Sequence, residues 1–218
     1  MELGKALFGI HLAESMTFTI VVHAATVLSI IIVFRKEISE LLKSFLTFKN
    51  DENNRYTFKL IFSAIPVIIL GLFFANDLEK LFTGNVLFVG IMLIITASLL
   101  ALTYFKKDGN RKITILDSFI IGIAQAIAVI PGISRSGATI STALLLGNKK
   151  ADVAKFSFLM VIIPVLGAVA KDIYDNYIKT TEIVAEQISL TVLIIGFFAA
   201  FISGLFACSL MLKIVRNS

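Results

Sequence analysis

The run Pro131-Gly132-Ile133-Ser134-Arg135-Ser136-Gly137-Ala138-Thr139 sets one guanidinium among three hydroxyls and two glycines, between stretches of apolar sequence. These residue types bind oxyanions. Arginine presents a planar fork to two phosphate oxygens, serine and threonine add hydroxyls, and the first N–H groups of a helix opening at Ser134 point the same way. An arginine held among apolar residues is costly unless an anionic group neutralises it. A hydrolase nucleophile elbow is excluded. Gly132-Ile133-Ser134-Arg135-Ser136 has Ser where the second Gly belongs, and no strand precedes it.

The flanks say how this loop is positioned. Ile120 to Ile130 and Ile140 to Leu146 are apolar but short, and a helix crossing a bilayer needs about 20 residues. The spacing predicts a helix that enters the membrane, breaks at Pro131-Gly132 and returns as a second short helix. Irregular backbone at that depth is tolerated only where protein buries it or it lines a wet cavity. Gln125, polar on an otherwise apolar helix, is expected to face the interior, either lining the site or serving packing. Asp117 is expected to be the N-cap of the entering helix.

Elsewhere the chain is read as an all-α, polytopic membrane protein. It is 57% hydrophobic, with 19 Phe and no Trp, and its apolar runs are continuous rather than alternating. Full spans are expected over Met16–Phe34, Thr57–Ala75, Gly84–Phe105, Val153–Ala170 and Leu190–Leu212, with a short semi-apolar piece over Met1–Gly9 that lacks the features of a cleavable signal. Arg35, Lys36, Lys43, Lys49 and Arg55 fill one loop, and Lys106, Lys107, Arg111 and Lys112 another. The positive-inside rule places both, with Lys213 and Arg216, on the cytoplasmic side. The net charge of +5 therefore reports orientation and carries no nucleic-acid signal. The sole cysteine, Cys208, lies in an apolar run and reads as an inert buried thiol. Pro66 and Pro164 fall mid-span, where proline kinks a helix.

A weak internal repeat pairs Leu7-Phe8-Gly9, Glu14 and Phe18 with Leu145-Leu146-Gly147, Asp152 and Phe156, each followed by a span ending in Lys-Glu-Ile or Lys-Asp-Ile. The two spans run in opposite directions. This is the pattern of inverted-topology repeats whose broken helices meet near the midplane. The reading is one integral membrane domain over 1–218, with 1–116 as a first repeat lacking its start and 117–218 as a second lacking its last span. Both ends are expected to be cut.

The segments Asp117-Ser118-Phe119 through Gly122-Ile123-Ala124-Gln125-Ala126, and Pro131 through Thr139, closely resemble the undecaprenyl-diphosphate phosphatases of the bacitracin-resistance (BacA/UppP) type. So do Glu2-Leu3-Gly4-Lys5 and Phe18-Thr19-Ile20-Val21-Val22-His23. The resemblance implies a multi-pass enzyme of the bacterial cytoplasmic membrane that converts the C55 lipid diphosphate to the monophosphate. That activity recycles the carrier for peptidoglycan synthesis. It also implies catalytic roles for Ser134, Arg135 and Thr139 in a phosphate-binding loop that the substrate-binding residues Gly132, Ser136 and Gly137 shape, and dependence on Mg²⁺ or Ca²⁺ through ligands it does not identify. Gln125 joins the substrate-binding set on its helix position alone. A glutamate-rich and a serine-rich, histidine-ending motif of that family have no counterpart in the chain. Glu2, His11 and Glu14 fall after their position and do not replace them. The chain as it stands is therefore expected to lack turnover, while the full-length gene product is expected to be active. His23 reads as an interhelical hydrogen bond, with an acid–base or diphosphate contact as the other reading. The alternatives left open are a polyprenyl-phosphate transporter or flippase and a non-catalytic fragment. The sequence does not set the oligomeric state.

Overall fold

In the computed structural model, residues 16–47, 51–74, 85–106, 109–174 and 189–217 are described. Helices account for nearly all of them: α1 (Met16–Val33), α2 (Arg35–Leu46), α3 (Glu52–Phe73), α4 (Val86–Tyr104), α5 (Ile115–Ile127), α6 (Arg135–Leu145), α7 (Lys150–Ile173) and α8 (Leu190–Asn217). Four of these, α3, α4, α7 and α8, are long and apolar enough to cross a membrane. The protein is a multi-pass helical membrane protein. α1, the fifth expected span, has 18 residues, of which Ile20–Val33 form its apolar stretch.

α1 runs beside α8 and parallel to it. A side chain on Gly196 would strike the ring of Phe18, and one on Gly204 would strike Ser29 Oγ at 2.4 Å. Gly196, Ala200, Gly204 and Cys208 recur every four residues on one strip of α8. Small residues there let two backbones approach closely, which is how helices associate where lipid removes the hydrophobic drive. Cys208 is buried at the end of that strip, as its apolar setting predicts. The opposite side of α8 presents Ile194, Ile195, Phe198, Ile202 and Phe206 outward. Helices α3 and α7 continue through Pro66 and Pro164.

The core lies where the ends of α1 and α6 meet α3, α5 and α7. Phe34, Leu60, Ile121, Ala143, Val153, Phe156 and Met160 form it, and Phe34 packs on Phe158 with ring centroids 5.9 Å apart. The end of α1 thus meets the beginning of α7, as antiparallel neighbours must. The basic loop 35–55 holds a helix that its charge alone does not announce: α2 packs Ile38 and Leu41 against the core.

This arrangement sets the two faces of the protein. Single cysteines at Asn53, at the start of α3, and at Ser189, before α8, in a Cys208→Ala background are expected to label from opposite sides. Ser189→Cys should react with an impermeant reagent in intact cells, and Asn53→Cys only after permeabilisation. Labelling of both from one side would overturn the orientation.

Candidate functional site

The anion loop sits at the tip of a helical hairpin. α5 and α6 have 13 and 11 residues, about 20 and 17 Å, so neither crosses a bilayer alone. They contact each other, and their outer ends are fastened together. Arg111 N–H donates to Gly147 O (3.3 Å), and Lys149 N–H donates to Arg111 O (3.0 Å). The pair therefore enters and leaves on the same face, as the short apolar runs predict. Between the helices, Ala128–Ser134 breaks the ladder.

The entry to α5 corrects one expectation. Thr114, rather than Asp117, is the N-cap. Asp117 stands three positions later and completes a capping box, accepting from Thr114 N–H at 2.9 Å while Thr114 Oγ1 accepts from Asp117 N–H. The carboxylate of Asp117 also takes both bonds from Arg111, at 2.8 and 2.9 Å. Thr114 has the hydroxyl to receive the third amide and Asp117 the oxygens to reach back, so the spacing Thr-x-x-Asp carries the cap.

Depth follows from register against α4. Gly132 lies against Val89, Ser134 N–H donates to Thr96 Oγ1 at 3.2 Å, and Lys106 Nζ donates to Leu145 O. α6 is thus parallel to α4. Thr96 is the middle of a 19-residue span about 28 Å long, so the start of α6 lies near the midplane.

At that point Ser134 caps α6, its Oγ accepting Gly137 N–H at 3.2 Å, and Arg135 is the first helical residue. The first N–H groups of a helix lack partners within it and carry its positive dipole end. Arg135 and Ser136 are exposed, and Ser134 is half-buried. Among the described residues no carboxylate pairs with Arg135. Two glycines make the approach possible. Gly132 has φ +94°, and a Cβ there would meet Val89 O at 2.5 Å; a Cβ on Gly137 would meet Thr96 Cγ2 at 2.7 Å. Below the loop Thr139 is fully buried. Its Oγ1 bonds to Arg135 O at 3.0 Å and pairs with Ser157 Oγ on α7 at 2.6 Å. It holds the first turn from beneath rather than facing outward with Arg135.

Gln125 is 1% exposed, and neither its Oε1 nor its Nε2 has a partner. It lies one turn beyond Gly122, where a Cβ would strike Ser63 O of α3, and beyond Ile121, which belongs to the core. It therefore faces the junction of α3 with that core, close to the hairpin tip. A buried amide with both ends unpaired calls for water or a ligand. His23 is on the exposed side of α1. Glu2, His11, Glu14 and the start of the first repeat lie outside the described residues.

Two residues that sequence reading does not single out hold the site, Thr96 and Ser157. Ser157 is the one serine or threonine of α7 and Thr96 one of three in α4, and only the packing of α4 and α7 on α6 brings them to the loop. Among the described residues no three acidic, histidine or cysteine side chains converge to hold a metal.

An arginine at a helix N-terminus, set at mid-depth in a membrane protein, has the chemistry to receive an oxyanion. The family model described as bacitracin resistance protein BacA matches residues 1–218. An undecaprenyl-diphosphatase of Christiangramia forsetii is 48% identical over all of this chain and 81% of its own length. One of Parabacteroides distasonis is 46% identical over the same shares. A third, of Carboxydothermus hydrogenoformans, is 38% identical over 98% of this chain and 78% of its own length. The chain belongs to the bacitracin resistance protein BacA family.

Proposed function

We propose that the protein hydrolyses undecaprenyl diphosphate to undecaprenyl monophosphate and orthophosphate at the hairpin tip, in the bacterial cytoplasmic membrane. Hydrolysis there recycles the carrier for peptidoglycan synthesis and, by removing the lipid diphosphate, gives resistance to bacitracin. The observation that carries this reading is Arg135 at the first position of α6, near the midplane, with no carboxylate partner among the described residues. Names of the relatives supply the substrate class.

The net step consumes one water. An oxygen–phosphorus bond forms at the terminal phosphorus, the bond from that phosphorus to the bridging oxygen breaks, and the electron pair stays on the lipid phosphate. Negative charge shifts onto the bridging and terminal oxygens as the bond opens. The opening N–H groups of α6 are fixed in advance to receive it, and the Arg135 fork stands beside them. Because Ser134 Oγ accepts from Gly137 N–H, the serine proton is left to donate to a phosphate oxygen. Thr139, through Arg135 O and Ser157, positions the turn that bears the guanidinium. Mg²⁺ or Ca²⁺, when bound, would neutralise phosphate charge beside Arg135.

Gln125 is proposed to contact the bound headgroup or the water beside it. Gln125→Leu is expected to keep or raise thermal stability in detergent, since it removes two unpaired buried polar atoms. Orthophosphate release should fall about tenfold, the worth of one hydrogen bond to a charged group. Unchanged turnover in a stable Gln125→Leu protein would remove Gln125 from the site.

A further inference from the structure

α2 has only 12 residues and is anchored along one side. Ile38 and Leu41 pack on the core. Phe45 meets Phe58 of α3 edge to face at 6.1 Å, and Ser44 Oγ donates to Asp51, the N-cap of α3. The other side is open. Leu42 is 55% exposed and Leu46 is 72% exposed, four residues apart on one strip. Exposed Arg35, Lys36 and Lys43 border this strip; Glu40 lies beyond them and Glu37 is half-buried toward the anchored side.

The depth of the strip is also set. Phe58 lies seven residues past Asp51, so Phe45, next to Leu46, meets α3 about 10 Å along its course into the membrane. Phe58 is itself 55% exposed, so this edge of α2 opens toward lipid.

We propose that α2 is an interfacial helix that binds anionic phospholipid in the cytoplasmic leaflet. Leu42 and Leu46 enter the boundary between headgroups and acyl chains. Lys36, Lys43 and the snorkelling Arg35 meet headgroup phosphates and the negative charge of the headgroup itself. Charge selects the occupant: a second copy of this strip would set cations against cations, whereas an anionic lipid offers both acyl chain and counter-charge. Lipid bound here would steady the first turns of α3, the helix on which α5 is packed.

The chain contains no tryptophan, so Leu46→Trp supplies a single emitter. The full chain would be reconstituted in phosphatidylcholine vesicles with a minor share of phosphatidylglycerol, either lipid carrying bromine high on its acyl chains. Blue-shifted emission is expected, with quenching by brominated phosphatidylglycerol about fivefold stronger than by brominated phosphatidylcholine at equal mole fraction. Lys36→Gln with Lys43→Gln should erase the difference. A tryptophan replacing Ile94, on the exposed side of α4, should be quenched alike by both lipids. Leu42→Trp serves as the second probe should Leu46→Trp fail to fold. Red emission quenched by aqueous acrylamide and not by bromolipid would overturn the proposal and place water or a soluble partner on the strip. Equal quenching by the two lipids would overturn the charge selection.

Discussion

Replacing Arg135 by Ala is expected to lower orthophosphate release from undecaprenyl diphosphate by about 10²–10³-fold, the cost of losing one preorganised donor to a developing oxyanion. The protein should still fold and insert. The side chain is exposed and pairs with no carboxylate among the described residues, so its loss leaves no buried charge behind. Arg135→Lys should recover little, because an ammonium is a point charge without the fork that spans two phosphate oxygens. The measurement is single-turnover phosphate release with purified proteins, read beside their thermal stability in the same detergent. Near-normal release by Arg135→Ala would remove the clamp from the mechanism. Loss of release together with loss of folded protein would instead make Arg135 a structural residue.

Gly132→Ala is expected to inactivate by a different route. Gly132 and Gly147 both have positive φ, +94° and +86°, so alanine at either meets backbone strain of about 1–2 kcal/mol. They differ in what surrounds them. Nothing lies within 4 Å of a Cβ on Gly147, whereas one on Gly132 would stand 2.5 Å from Val89 O and 2.9 Å from Met92 Cβ. Overlap with a backbone oxygen cannot be relieved by turning a side chain. α4 or the loop must move, at a further cost of about 1–3 kcal/mol. A displacement of the order of 1 Å beside Arg135 is enough for about a hundredfold loss in rate. Gly147→Ala should therefore keep most of its turnover with a modest drop in melting temperature, and Gly132→Ala should lose both. Equal behaviour of the two variants would show that the close approach of α4 to the loop does not matter.

Much of this was legible in the sequence, for reasons that can be named. Four of the five expected spans appear as helices long and apolar enough to cross, because continuous apolar runs have few other solutions in a membrane. The hairpin was legible because its two runs are too short to cross and flank a Pro-Gly break. α2 differs from the loop its basic residues suggest, although its pattern is present: Ile38, Leu41, Leu42, Phe45 and Leu46 recur at helical spacing among the charges. Asp and Thr are both good N-caps, so residue type alone does not separate Asp117 from Thr114, while the Thr-x-x-Asp spacing identifies both roles. The partnership of Thr139 with Ser157, and of Ser134 with Thr96, was not legible at all. Local sequence fixes neither the pairing of helices nor the face each presents, and a few scattered hydroxyls in apolar spans leave no period to read.

The hairpin also bears on how the chain is made. Synthesis delivers α3 and α4 before α5 and α6, and these two helices are the surfaces the hairpin needs. Gly122 seats α5 against Ser63 of α3, while Gly132 and Gly137 seat α6 against Val89 and Thr96 of α4. Neither arm could be released sideways from a translocon into lipid by itself, given its length and the open backbone at the tip. A docking platform is therefore already in the bilayer when the re-entrant pair emerges, and the backbone bonds between Arg111 and Gly147 and Lys149 close its mouth only after α6 is finished. α7 follows and locks the result through Ser157. Chain order from α3 to α7 is in this sense an assembly schedule, and moving the hairpin ahead of α3 in a permuted gene would ask the membrane to hold a break that nothing yet covers.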